Sequence, residues 1–286
     1  MTLDKEQQRK DIEKFIRKMP SLSTTVGKVM EVCSRTDASP NELNKVVSLD
    51  PVLTGQVLKL INSAYYSLVD KVTTLTRAIT MLGMNTVKNM ALSTAIIKTV
   101  GGVKKSRVIP TTKFWQHSIG VGVSAKLYAA IQDMPVMERE GLFVAGLLHD
   151  LGKIPFGDEY IQVVNMARNE QIPLIEAEQE VLGIDHQEVG RMIAEKWKLN
   201  EEITNCISQH HNLATISEDS TKRIGYVALG NMYTDILDVG FAGSSFPRES
   251  EVTELLELLG LSMADFGSIG EDVQKEIQKA EMFLQI

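Results

Sequence analysis

Cysteine is nearly missing from this 286-residue chain, which has only Cys33 and Cys206. Two thiols at that separation give neither a disulfide framework nor a metal-type spacing, so the expectation is a cytoplasmic protein with reduced cysteines. Long apolar runs are missing too. The best candidate, Gly141–Leu148, stops at His149 and Asp150, far short of the roughly 20 residues needed to span a bilayer. The start, MTLDKEQQRK, has no apolar segment of the secretory kind. A basic excess is also absent: 30 Lys and Arg face 37 Asp and Glu, for a net charge of −7. That argues against broad nucleic-acid binding, which needs a basic face, and leaves room only for a small basic pocket. With 43% hydrophobic and 23% charged residues, the composition excludes a disordered chain, a collagen and a coiled-coil rod.

What is present is helical periodicity almost throughout. Ile12, Phe15, Ile16 and Met19 fall at three- and four-residue steps and form one stripe. Ser39-Pro40-Asn41-Glu42 has the spacing of a capping box with proline at the first helical position, and Asp50-Pro51 opens another helix in the same way. Gly83 precedes a helical segment, Thr86–Val100. Gly101-Gly102 with Lys104-Lys105-Ser106-Arg107 then reads as a solvated linker rather than an RNA-binding patch, closed by Pro110. Beyond it, helices are predicted over Phe114–Gln132, Arg139–Leu151, Glu159–Asn169, Leu174–Leu182, His186–Trp197, Glu201–His210 and Thr221–Leu237. Gly240–Arg248 reads as a loop, and Glu251–Ile286 as two or three further helices. No strand alternation and no internal repeat is visible. The fold class is therefore all-α: a multi-helix block preceded by an N-terminal helical subdomain. The expected divisions are 1–105, 106–240 and a C-terminal tail at 241–286 packed on the second block. Met81, Met84 and Met90 read as core filling, Tyr65-Tyr66 as buried packing, Trp115 and Trp197 as core, and Cys206 as a small buried residue.

Histidine is the informative scarcity. There are five, His117, His149, His186, His210 and His211, with none in the first 116 residues or the last 75. One histidine is ordinarily a satisfied core or surface residue; five confined to one block of helices point to convergence. His149 and Asp150 close an apolar run, where a carboxylate is costly unless paired or bound to a metal. Imidazole with carboxylate suits Zn, Fe, Mn or Ni. Neighbouring helical residues do not share a face, so His149–Asp150 and His210–His211 cannot each chelate as an i, i+4 pair does. A carboxylate between two ions would satisfy both pairs; a hydrogen-bonded remnant without metal is the structural alternative.

The run Gly146-Leu147-Leu148-His149-Asp150-Leu151-Gly152-Lys153 resembles the signature of the HD phosphohydrolase superfamily. Phe114-Trp115-Gln116-His117-Ser118, Asp185-His186-Gln187-Glu188-Val189-Gly190, Trp197-Lys198-Leu199 and Gln209-His210-His211 narrow the likeness to the HDOD family, the HD-related output domain of bacterial signalling. Met19-Pro20-Ser21-Leu22, Val47-Ser48-Leu49-Asp50-Pro51 and Leu60-Ile61-Asn62-Ser63-Ala64 extend it into the N-terminal block, so that it covers about residues 15–235. The resemblance implies an all-helical fold related to the HD-GYP phosphodiesterases, in which many members act as regulatory or scaffolding outputs. It implies one ion on His117, His149 and Asp150, and another on the shared Asp150 with His186, His210 and His211. Lys153 matches a lysine that lies near the substrate phosphate in active relatives, so Asp150 and Lys153 are the catalytic candidates if the chain is active.

Two departures stand out. Gly230-Asn231 occupies the place of an Ala-Asp pair, and Asn231 brings an oxygen without a charge, which weakens the first ion position; Asp235, one turn on, is a possible compensation. No Gly-Tyr-Pro follows His210-His211. The resemblance therefore implies a signal-transduction output protein, noncatalytic, with one or two divalent ions, a protein signalling partner and room for a small phosphorylated ligand. The alternative is a metal-dependent phosphohydrolase or phosphodiesterase acting on a nucleotide or cyclic dinucleotide. A membrane or nucleic-acid partner is not expected.

Overall fold

The capping signals place the first helices. The computed structural model describes residues 5–22, 24–35, 37–62, 70–84, 87–88, 91, 94, 99–100, 107–212, 222–243 and 249–281. Helix α1, Lys5–Lys18, buries Ile12 and Ile16, and α2 spans Thr24–Ser34. In α3, Pro40–Ser48, Ser39 Oγ accepts the Glu42 N–H and the Glu42 carboxylate accepts the Ser39 N–H, completing the box. In α4, Pro51–Ile61, Asp50 Oδ1 accepts the N–H groups of Val52 and Leu53 at 3.0 Å. Thr74 caps α5, Leu75–Leu82. The described positions between 84 and 100 are helical. The tyrosine pair at 65 and 66, Met90 and the glycine–lysine stretch 101–106 lie outside the described residues. Met81 departs from its expected core role: it is 45% exposed, whereas Met84 packs against the core.

The second block is built around α6, Thr111–Ile131, which is buried around most of its circumference. Helix α7, Val136–Leu148, lies against it. The predicted helix Arg139–Leu151 is therefore displaced: it starts behind Pro135, three residues early, and stops before His149. Residues Leu151–Glu159 instead follow a 3-10 path with Pro155 inside and Gly157 at φ 69°. The reason is steric. A Cβ on Gly152 would fall 1.8 Å from the His186 carbonyl oxygen, so this turn meets another backbone directly.

The remaining elements are α8 (Tyr160–Glu170), α9 (Leu174–Leu182), α10 (His186–Trp197), α11 (Glu201–Gln209) and α12 (Lys222–Ile236). Three more helices follow: α13 (Glu249–Leu259), α14 (Met263–Ser268) and α15 (Gly270–Glu281). Among the described residues there is no strand, as the periodicity requires. Helix α15 packs on α6, and Tyr128 Oη donates to the Phe266 carbonyl at 2.9 Å. Helix α1 crosses to the histidine-bearing helices. Arg9 pairs with Glu188, Lys196 Nζ donates to the Arg17 carbonyl at 2.8 Å, and Trp197 Nε1 donates to the Pro20 carbonyl at 3.0 Å. Trp115, Trp197 and Cys206 are buried. No helix among the described residues is long and apolar enough to cross a membrane.

Candidate metal centre

Three close helix crossings bring the polar groups together. On α6, a Cβ at Gly122 would fall 2.6 Å from the Phe143 carbonyl, and one on Gly146 of α7 would meet the Gly122 Cα at 2.5 Å. On the other flank, a Cβ at Gly230 of α12 would fall 2.8 Å from the Val121 carbonyl. Helices α7 and α12 thus approach α6 backbone to backbone. His117 on α6 is set between His149, at the end of α7, and Asn231 and Asp235 on α12. The Gly152 turn supplies Lys153 and abuts the first turn of α10, where His186 is the first residue. His210 and His211 follow the end of α11.

Asp150 sits at the middle, fully buried. Its Oδ2 lies 3.3 Å from His149 Nε2 and 3.8 Å from His117 Nε2. Its Oδ1 lies 3.4 Å from His186 Nε2 and 3.7 Å from His210 Nε2. One carboxylate thus turns an oxygen toward each of two histidine groups. His117, His149 and Asp150 form one group, and His186, His210 and His211 another; within each, the donor atoms lie within 4.8 Å of one another. Asn231 is 4% exposed, and its Oδ1 meets no hydrogen-bond donor. All seven positions expected from the sequence, together with Lys153, converge on this one region.

The far nitrogens of three of the rings, His149, His186 and His210, are held. His149 Nδ1 lies 2.7 Å from the Gly146 carbonyl, and His210 Nδ1 lies 3.0 Å from that of Ile207. His186 Nδ1 lies 2.6 Å from Glu178 Oε2, which also accepts the His186 backbone N–H, while Tyr160 Oη donates to Glu178 Oε1. An acceptor at Nδ1 puts the proton there and leaves the Nε2 lone pair facing inward, the arrangement of a metal-ligating imidazole. Both ring nitrogens of His117 are buried without a hydrogen-bond partner, and Asp235 only approaches one of them. Its Oδ1 lies 3.5 Å from His117 Nδ1, the nitrogen on the far side of the ring from Asp150. Gln187 Oε1 accepts the His211 backbone N–H at 2.8 Å.

The electrostatics match. Burial pushes His117 and His210 down to about 3, and His211 well below the ordinary histidine range, so these rings are neutral, as ligands must be. Burial alone would raise the Asp150 carboxyl, but His149 and Lys153 outweigh it and hold it well below the ordinary carboxylate range. Burial raises Asp235 to about 8. His149 Nε2, Asp150 Oδ1, His211 Nε2 and Asn231 Oδ1 are buried without a well-formed hydrogen bond. Such atoms are costly to enclose, and a divalent ion accepting their lone pairs removes the cost. The residues therefore fit a metal of the Zn, Fe, Mn or Ni kind.

The sequence did not single out Glu178, Tyr160 or Gln187. A signal for Glu178 was there: Leu174, Ala177, Glu178 and Leu182 share the buried face of α9, and a lone carboxylate in an apolar stripe asks for a partner.

The family model described as the HDOD domain matches residues 19–213, about two thirds of the chain. This chain belongs to the HDOD family. Among similar proteins is a Geobacter sulfurreducens HDOD protein with unknown function. It is 25% identical, with a TM-score of 0.79, over 98% of this chain and 100% of that one. A Shewanella amazonensis protein named as a candidate phosphohydrolase shares the fold, at 24% identity and a TM-score of 0.70, over 96% of this chain and 97% of that one. An uncharacterized protein of Treponema pallidum (strain Nichols) is 25% identical over 235 residues; the match covers 80% of this HDOD chain and 45% of that curated relative's length.

Proposed function

We propose that this HDOD chain is a cytoplasmic output module of bacterial signal transduction. On this reading its HD-like centre holds one or two divalent ions, from among Fe, Mn, Zn and Ni, as a fixed part of the fold, and does not turn over a substrate. A protein partner reads the helical layers around it. The observation that carries this is enclosure. His117, His149, Asp150, His186 and His210 are each at most 1% exposed. An ion fits among them, whereas a phosphoryl group would have to reach the metal for chemistry to occur. Neutral Asn231 supports the same reading, because position 231 brings an oxygen to the His117 side of the centre without a negative charge.

The alternative, a metal-dependent phosphohydrolase or phosphodiesterase acting on a nucleotide or cyclic dinucleotide, draws support from Lys153. Its ammonium lies 2.8 Å from Asp150 Oδ2, where it would offset phosphate charge. Bound metal would supply an activated water in that case.

The deciding experiment is elemental mass spectrometry of the chain purified without added metal, beside a His149→Ala/Asp150→Ala control. Metal in the parent chain and its loss in the control are expected. Hydrolysis of cyclic di-GMP by the loaded parent chain, abolished by His149→Ala, would replace the noncatalytic reading with the enzymatic one. Metal in neither protein would leave the histidines as a hydrogen-bonded remnant.

A further inference from the structure

A carboxylate stands in the core one layer outside the histidines, and its contacts carry an inference that rests on the metal-binding reading above. Glu178 lies on α9 among Leu174, Ala177 and Leu182 and is fully buried. Enclosing a carboxylate is costly unless its oxygens are well partnered. Here both are. Oε1 accepts from Tyr160 Oη of α8; Oε2 accepts the His186 backbone N–H at 2.8 Å and lies 2.6 Å from His186 Nδ1. Burial and the adjacent carboxylate push the Tyr160 phenol well above its ordinary range, so it keeps the proton it donates.

The start of α10 does not need this carboxylate. Asp185 already caps it: Oδ1 accepts the Glu188 N–H at 2.8 Å, and Oδ2 accepts from Gln179 Nε2 at 2.6 Å. What Glu178 adds is a hold on the His186 ring. At Nδ1, His149 and His210 have backbone carbonyls of their own helices. His186 instead has a carboxylate from another helix, itself fixed by a tyrosine from a third. With Nδ1 so engaged, Nε2 faces Asp150 Oδ1 at 3.4 Å. A carboxylate behind an imidazole fixes its tautomer and orientation and makes it the stronger ligand.

We infer that Glu178 is a positioning residue for the bound metal. Seated by Tyr160, it holds the His186 ring with Nε2 toward Asp150 and strengthens that ring as a ligand, without touching the ion itself.

Glu178→Gln tests this, because the amide keeps the size and an acceptor on the His186 side while losing the charge. The readouts are Zn²⁺ affinity of the metal-stripped chain by chelator competition, the visible spectrum of the Co²⁺-loaded chain, and urea unfolding without metal. Glu178→Gln is expected to fold, to lose about tenfold or more in Zn²⁺ affinity and to shift the Co²⁺ bands. Glu176→Gln removes a charge from the exposed side of the same helix and is expected to bind as the wild type does. Tyr160→Phe is expected to show a smaller loss than Glu178→Gln, and carries the test should Glu178→Gln fail to fold. Suppose instead that Glu178→Gln unfolds more easily without metal yet binds Zn²⁺ as tightly as the wild type, with the same Co²⁺ spectrum. Glu178 would then only staple helices together, which overturns the inference and leaves the metal-binding reading intact. Undiminished affinity in Tyr160→Phe, or an equal loss in Glu176→Gln, would overturn it in the same way. A wild type that takes up neither Zn²⁺ nor Co²⁺ would overturn both.

Discussion

At the scale of single residues, three of the ligand candidates are defined by what stands behind them. His149 and His210 lean on backbone carbonyls of their own helices, and His186 leans on Glu178. Burying a neutral ring has a cost that pH exposes at His117 and His210. His117 and His210 titrate at about 3 in the folded chain, against an ordinary value near 6.5. Their contribution is complete above about pH 6.5 and is lost as pH falls toward 3, because the unfolded chain then binds protons that the folded chain refuses. Asp235 acts in the opposite sense. Its folded value of about 8 lies above the ordinary one, so its contribution is complete below about pH 4 and is lost as pH rises through 8. The side chain is 15% exposed, and solvent reduces the effect. Urea unfolding of metal-free protein should therefore give a maximum near pH 6.5. In Asp235→Asn the decline between pH 6.5 and 8 should flatten. A wild-type chain as stable at pH 4.5 as at pH 6.5 would contradict the assignment. The sequence showed which residue types gather here, since five histidines in one block beside His149-Asp150 leave few other readings. It did not show which nitrogen of His186 faces inward, because Glu178 reaches that ring from another helix.

At the scale of elements, glycine decides how closely backbones approach. Two positions make opposite predictions. A Cβ on Gly141, in α7, meets nothing within 4 Å, whereas one on Gly152 falls 1.8 Å from the His186 carbonyl and 2.6 Å from the Gly190 nitrogen. Gly141→Ala should stabilise the chain by about 0.5–1 kcal/mol through helix propensity. Gly152→Ala should destabilise it by about 3 kcal/mol and weaken metal retention, because α10 must move and His186 moves with it. Thermal unfolding of the two variants side by side checks this; equal effects would sink the crossing argument. Caps and stripes were legible in sequence, as the boxes at Ser39 and the helix Leu174–Leu182 show. The end of α7 was not. Apolar periodicity ran on to Leu151, and only the approach of α10, a contact between distant segments, turns that stretch into a 3-10 path.

At the scale of the whole molecule, α1 closes over the histidine block. Its apolar stripe was plain in the sequence, but no local pattern says what a stripe covers. Removing residues 1–20 should leave Trp197 without its hydrogen bond to Pro20 and open its surroundings to water. The expected result is a red-shifted tryptophan emission and a lower unfolding temperature. Trp115 is 1% exposed and belongs to the α6 core, so a Trp197→Phe control should remove the shift. An unchanged spectrum would mean that α1 does not cover this surface in solution. The same contact has a mechanical side. Helix α10 has 12 residues and is about 18 Å long. Its first residue is a ligand candidate and its last is tied to the segment after α1, while Gly190 presses on Gly152 one turn from the start. This rod joins the surface contact at Trp197 to His186, with Val189, Ile193 and Ala194 buried in the core between them, so a displacement of α1 would reach Asp150 only by way of the packing of this one helix.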